Sequence, residues 1–217
     1  MNALGKTHQS SGYNMTLGRL LEGLDVAAPH GLQVTDLVQD SRAATPGCVF
    51  LACPGRTTHG LLHAATAVER GAVAVLWEPG ADLEPPVLPA RVAVQIGGVW
   101  IQPGKHAGDG LLHELLVVDR LDVVGLDRAE DVGERADRFF RRPSADLRVA
   151  GITGTNGKTT TAFLLAQASD FLGRRGWYVG TLGHGHPGNV REAGLTTPDA
   201  VTVQRRLAEA RDEGAST

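Results

Sequence analysis

The chain has 217 residues, of which 42% are hydrophobic and 21% charged, and a formal net charge of -3. That is enough for one large or two small globular domains, and a mildly acidic balance without a Lys/Arg cluster argues against nucleic acid as a partner. The longest apolar runs, such as residues 72–77, are far shorter than the roughly 20 residues a membrane-spanning helix needs, and no charged-then-apolar leader opens the chain, so a cytoplasmic location and no membrane span are expected.

Residues 1–14 are polar and aperiodic and read as a disordered leader, with Met15 a candidate start. A short helix from Thr16 precedes a strand over residues 34–38, and the apolar run CVFLAC, residues 48–53, fits a buried strand. Its cysteines, Cys48 and Cys53, are expected to be thiols in a reducing compartment. Leu61, Ala64, Ala65 and Val68 recur at helical spacing, Gly71 suits the position after a helix end, and residues 72–77 give the next strand. Residues 90–96 resume a strand, whereas the Gly-rich, His-containing stretch over 97–121 carries no assignable pattern. Asp127 and Glu130 have the spacing of a capping box, opening a helix through Val132, Ala136, Phe139 and Phe140 that ends before Pro143. Residues 141–145 read as a linker. The expected organisation is a leader over 1–14, a first domain over 15–144 and a partial second domain over 145–217.

The second domain opens on AGITGTNGKTTTAFLL, residues 150–165. Residues 147–152 read as a strand, 153–157 as a turn, and 158–172 as a helix with Leu164, Leu165, Ala168 and Leu172 on one face. Gly154 and Gly157 let successive amides converge on an anion, and the helix N-terminus adds partial positive charge. Lys158 supplies an ammonium for outer phosphates, and Thr159 stands where phosphate loops place a magnesium ligand. Ile152 occupies the position of the first glycine in G-x-x-x-x-G-K-[ST], which makes this a variant of that loop. A generic phosphate-loop switch would need an Asp at a second apolar strand end, and none is recognisable. His184 and His186, two residues apart in a Gly-rich segment, read as a solvated loop rather than a metal site.

GITGTNGKTTT resembles the ATP loop of the Mur ligases, cytoplasmic enzymes that add amino acids to the nucleotide-linked precursor of bacterial peptidoglycan. QDSRAATPGCVFLACPGRTTHG, residues 39–60, resembles the family's segments before that loop, while GTLGHG and LTTPDAVTVQRRLAEARDEGA resemble those of its MurE-type members. The resemblance implies an α/β fold: a small N-terminal α/β UDP-binding domain followed by the first part of a phosphate-loop, parallel-sheet ATP domain. It implies ATP and Mg2+ as cofactors, bound by Gly154, Thr155, Asn156, Gly157, Lys158, Thr159 and Thr160, with Lys158 catalytic and Thr159 on the metal. It places Gln39, Ser41, Arg56, Thr57, Thr58, Thr196 and Thr197 on UDP-MurNAc-L-Ala-D-Glu. His59 stands where the family usually has an acidic residue, and Gln39 where an apolar one is common.

The implied activity is ATP-dependent amide-bond ligation, adding meso-diaminopimelate or lysine to UDP-MurNAc-L-Ala-D-Glu by way of an acyl phosphate. The family continues beyond the matched segments into the rest of the ATP sheet and a third domain that selects the diamino acid. The expectation is therefore a truncated chain, inactive alone, with an apolar sheet edge uncovered in its second domain. A non-catalytic module that binds a UDP-linked ligand is the alternative.

Overall fold

The computed structural model describes residues 12–23, 31–55, 57–77, 95–96, 99–101, 129–192 and 198–217. Residues 1–11 of the expected leader, Arg56, Thr196, Thr197, Asp127, most of 97–121 and residues 90–94 of an expected strand lie outside them. The chain divides into two compact units, residues 1–135 and 136–217.

In the first unit, β1 (Met15–Thr16) pairs antiparallel with β2 (Gln33–Val34). Helix α1 (Leu17–Leu20) starts where the Thr16 hydroxyl accepts from Arg19 N at 3.4 Å, the capping that a Thr at this position offers. The main sheet takes β3 (Asp36–Val38), β4 (Cys48–Ala52) and β5 (Ala74–Trp77) in parallel. Helix α2 (Ala64–Glu69) lies in sequence between β4 and β5, so the two strands and the helix make the right-sized crossover that parallel pairing requires. β6 (Gln95–Ile96) and β7 (Val99–Ile101) extend the sheet antiparallel, β7 against β5. Val99–Ile101 falls within the stretch whose glycines and polar residues hide any period in the sequence.

All five residues of β4 are buried, as expected of a central parallel strand covered on both faces. Cys48, Phe50 and Ala52 project to one side and pack in a cluster with Leu61, Ala64, Ala67, Val75 and Trp77. Burial pushes the Cys48 thiol up to about 11, leaving it an inert core side chain. Helix α3 (Ala129–Phe139) contributes buried Arg135 to this unit, whose guanidinium donates to the carbonyls of Leu20 at 3.3 Å and Glu22 at 2.7 Å.

In the second unit Phe139 and Phe140 are buried and meet edge to face, with ring centroids 5.1 Å apart. Arg141 and Arg142 adopt left-handed backbone before a 3-10 turn over Pro143–Ala145, so the expected linker is an ordered corner. Arg211 of α5 (Ala200–Asp212) donates to the carbonyls of Phe140 and Arg141 and satisfies them. α5 is itself capped by Asp199, which accepts from Thr202 N at 2.8 Å. Helix α4 (Lys158–Phe171) precedes an antiparallel meander of β8 (Tyr178–Gly180), β9 (Gly183–His186) and β10 (Asn189–Arg191).

Two local expectations do not hold here. Residues 147–152 form no strand: Arg148 N donates to Ser216 O at 3.1 Å, and one backbone bond does not make a ladder. Instead they border a cavity of about 120 Å³ lined by Leu147, Val149, Ile152, Leu165, Trp177 and Leu207. The apolar face expected of this helix is also largely exposed, Leu164 at 56% and Leu172, just past the end of α4, at 75%, while Ala166 and Ser169 are the buried positions. Close approach of Gly176 to the Ala166 carbonyl selects that smaller face, since a Cβ at Gly176 would stand 2.0 Å from it.

Candidate functional site

The loop over residues 153–157 and the first turn of α4 bring the nucleotide candidates together. Gly154 has φ 144° and Gly157 φ 77°, conformations a Cβ would strain, and the helix begins at the next residue, Lys158. The first backbone bond of the helix is Thr161 N to Gly157 O at 2.9 Å, so the amides of Lys158, Thr159 and Thr160 have no intrahelical acceptor. Gly154, Thr155, Asn156, Gly157, Lys158 and Thr160 are exposed and Thr159 half-buried. The Lys158 ammonium folds over its own loop, donating to the carbonyls of Gly154 and, at 3.4 Å, Thr155. The Thr159 hydroxyl stands 2.9 Å from that of Thr181. Thr181, 22 residues further on and within GTLGHG, gets no role from the sequence because no spacing rule links a helix start to the turn after a short strand.

The first unit gathers a second group where adjacent parallel strands end. In α/β sheets ligands bind outside the carboxyl ends of strands, and both β3 and β4 lead into polar segments there. After β3 come Gln39 and Asp40, then a 3-10 turn over Ser41–Ala43. Asp40 caps that turn by accepting from Arg42 N at 2.9 Å; the Arg42 guanidinium also donates to it at 2.8 Å and holds its carboxyl below the usual range. Ser41 is buried. After β4, Gly55 N donates to Thr58 O and Gly60 N to Cys53 O, both at 2.9 Å, closing a tight loop with Thr57 and Thr58 exposed at its tip.

Gln39 Nε2 donates to Cys53 Sγ at 3.5 Å and joins the two segments, while Gln39 Oε1 is buried without a partner among the described residues. His59 caps the turn over Gly60–His63: its Nδ1 accepts from Leu61 N at 3.1 Å. The accepting Nδ1 puts the ring proton on Nε2, which is buried and also lacks a partner among the described residues.

His184 and His186 lie on β9 rather than in a loop. His184 Nε2 is 3.3 Å from Glu209 Oε2 and His186 Nε2 is 3.0 Å from Asp170 Oδ2. Burial works against the charge on Glu209, but His184, Arg191 and Arg205 outweigh it and hold the carboxyl below its usual value. Among the described residues no group of three or more His, Cys, Asp or Glu could hold a metal ion.

These features define an α/β protein with a polar cluster at the ends of parallel strands in one unit and a glycine loop at a helix mouth in the other. Residues 33–108 match the family model for the Mur ligase family, catalytic domain, and residues 152–217 that for the Mur ligase middle domain. The chain belongs to the Mur ligase family, as the resemblance of its motifs implied. A UDP-N-acetylmuramoyl-L-alanyl-D-glutamate--2,6-diaminopimelate ligase of Xanthomonas oryzae pv. oryzae (strain MAFF 311018) is 42% identical over 202 residues, covering 93% of this chain and 34% of that protein. The ligase of the same name from Ectopseudomonas mendocina (strain ymp) is 39% identical over 201 residues, with the same coverage of 93% and 34%. A solved structure of a ligase with this name superposes with a TM-score of 0.62 at 22% identity, covering 94% of this chain and 34% of that one, and shows the shared fold. The chain thus spans about a third of the length, 34%, of the curated relatives it matches. No helix among the described residues is long and apolar enough to cross a membrane.

Proposed function

We propose that this chain carries the substrate-nucleotide and ATP elements of a ligase that adds meso-diaminopimelate or lysine to UDP-MurNAc-L-Ala-D-Glu in peptidoglycan synthesis, a cytoplasmic reaction. Names and identities of the relatives support the reaction class. The single observation that carries the ATP part is the loop over residues 153–157 at the mouth of α4, with first-turn amides that lack an intrahelical acceptor and an exposed lysine. Around Gly154 and Gly157 the nearest atoms to a notional Cβ are 3.8 Å and 4.0 Å away, so a phosphate could approach the backbone closely, and the donor set suits an anion with its cation.

Magnesium ATP, when bound, supplies the phosphoryl group that activates the substrate carboxylate. The chain's own contribution is positioning and charge neutralisation. Amides of residues 154–160 orient the phosphate oxygens, Lys158 exchanges its two carbonyl partners for outer phosphate oxygens, and the Thr159 hydroxyl would hold the cation. In the first unit Ser41, Thr57, Thr58 and the unpartnered Gln39 Oε1 suit the sugar and uracil of the UDP moiety, with Arg56, Thr196 and Thr197 in the roles the family gives them. On this reading the functional domains run over 15–144 and 145–217.

Calorimetric titration of the chain with UDP-MurNAc-dipeptide, and separately with magnesium ATP, tests the proposal. Heat from both supports it. Heat from the UDP ligand alone would make the chain a binding module, and heat from neither would reject both sites.

A further inference from the structure

Thr181 touches the one hydroxyl to which the preceding reading gives the cation, and the structure fixes it there from two sides. Thr159 and Phe163 lie one helical turn apart on the same face of α4. Phe163 packs edge to face on Tyr178, at a ring separation of 5.5 Å and 67° between planes, and Tyr178 is 2% exposed. β8 is therefore held against the face of α4 that presents Thr159. Beyond β8, the Tyr178 hydroxyl accepts from Leu182 N at 3.5 Å and curls beneath Gly180, where a Cβ would stand 2.2 Å from the phenol oxygen. Thr181 sits between these two anchored residues and so points its hydroxyl to within 2.9 Å of Thr159.

A hydroxyl oxygen that offers a lone pair to a cation must send its proton elsewhere. Thr181 is exposed, and its hydroxyl meets that of Thr159 across 22 residues of chain. We propose that Thr181 is a positioning residue of the nucleotide site: its oxygen accepts the Thr159 proton and aims the Thr159 lone pairs at the divalent cation that accompanies the triphosphate. The inference rests on the assignment of Thr159 to the cation and extends it to a residue of a different element. It also sets a requirement on side-chain type, since Ser keeps the acceptor and Val, of the same shape, removes it.

The test is calorimetric affinity of the full chain for ATP, with magnesium and with EDTA, for the parent, T181V, T181S, T159V and the T159V/T181V pair. Expected is a loss of about five-fold for T181V with magnesium, the size of one ordinary hydrogen bond, with no change in EDTA. T181S should restore the parent value, and the double variant should bind no more weakly than T159V alone, because the two hydroxyls act as a unit. Parent-like binding by T181V, or equal losses with and without magnesium, would overturn the role of Thr181 while leaving the nucleotide site standing. Failure of the parent chain to bind ATP in either condition would remove the site and this inference together.

Discussion

Gln39 and Cys53 are joined by a hydrogen bond, Nε2 to Sγ at 3.5 Å, that ties the segment leaving β3 to the segment leaving β4. The other end of the same amide, Oε1, is buried and unpartnered among the described residues. A structural side chain would not be expected to leave that oxygen so, because an unmet buried acceptor costs about 1–3 kcal/mol; a ligand donor would satisfy it.

Replacing Gln39 by Leu separates the two roles. Q39L should be as stable as the parent or slightly more so in urea denaturation, since it removes an unmet polar atom, yet bind UDP-MurNAc-dipeptide about ten-fold more weakly, the effect of about 1.4 kcal/mol. Loss of stability with unchanged affinity would assign Gln39 to structure alone.

Tyr178 and Phe163 hold the meander to α4 with rings 5.5 Å apart. Truncating a buried aromatic costs about 3–5 kcal/mol, so Y178A should lower the midpoint of the second unit's thermal unfolding substantially. Y178F, which keeps the ring and gives up only the long bond from Leu182 N, should cost less than about 1.5 kcal/mol.

Gly157 has φ 77° with open space around it, its nearest neighbour to a notional Cβ being the Thr161 hydroxyl at 4.0 Å. G157A therefore meets conformational cost without a clash, about 1–2 kcal/mol for left-handed backbone. Far-UV circular dichroism should stay unchanged while calorimetry shows weaker binding of magnesium ATP, because the loop amides relax away from their convergent arrangement.

Glu209 makes the second unit sensitive to acid. Its carboxyl is held below the ordinary value of 4.5: burial opposes the charge, but His184, Arg191 and Arg205 favour it more strongly. A depressed folded-state value means that the stabilisation is present above about pH 4.5, the unfolded value, and is lost as pH falls through the lower folded one. Stability measured from pH 6 downward should therefore fall less steeply below about pH 4.5 in E209Q than in the parent. Superimposable slopes would show that Glu209 titrates alike in both states.

The parts of the fold written in short-range pattern are those the sequence exposed. CVFLA is apolar at every position because a central parallel strand is covered twice, and Gly157 followed by Lys158 marks the start of α4 through its backbone freedom alone. The meander is different. GHGH in β9 has little strand propensity, and its pairing is set by contacts with β8 and β10 and by the bonds of His184 and His186 to Glu209 and Asp170, which lie on helices remote in sequence. Helical periodicity found α4 but misjudged which face it buries, since the close passage of Gly176 over Ala166 is invisible to periodicity. In the candidate site, Lys158 and Thr159 were legible from the loop motif, whereas Thr181 and the Gln39 to Cys53 bond arise only when distant segments fold together.

In the proposed function the turn from Gly154 to Thr159 wraps the outer phosphates of a nucleotide. Amide resonances of the isotope-labelled chain, followed while magnesium ATP is added, test it most directly. The largest shifts should fall on residues 154–160, and K158A, whose side chain is exposed and outside the core, should abolish them without altering the rest of the spectrum. Saturable binding that leaves those amides unmoved, or shifts that survive in K158A at the same affinity, would contradict it.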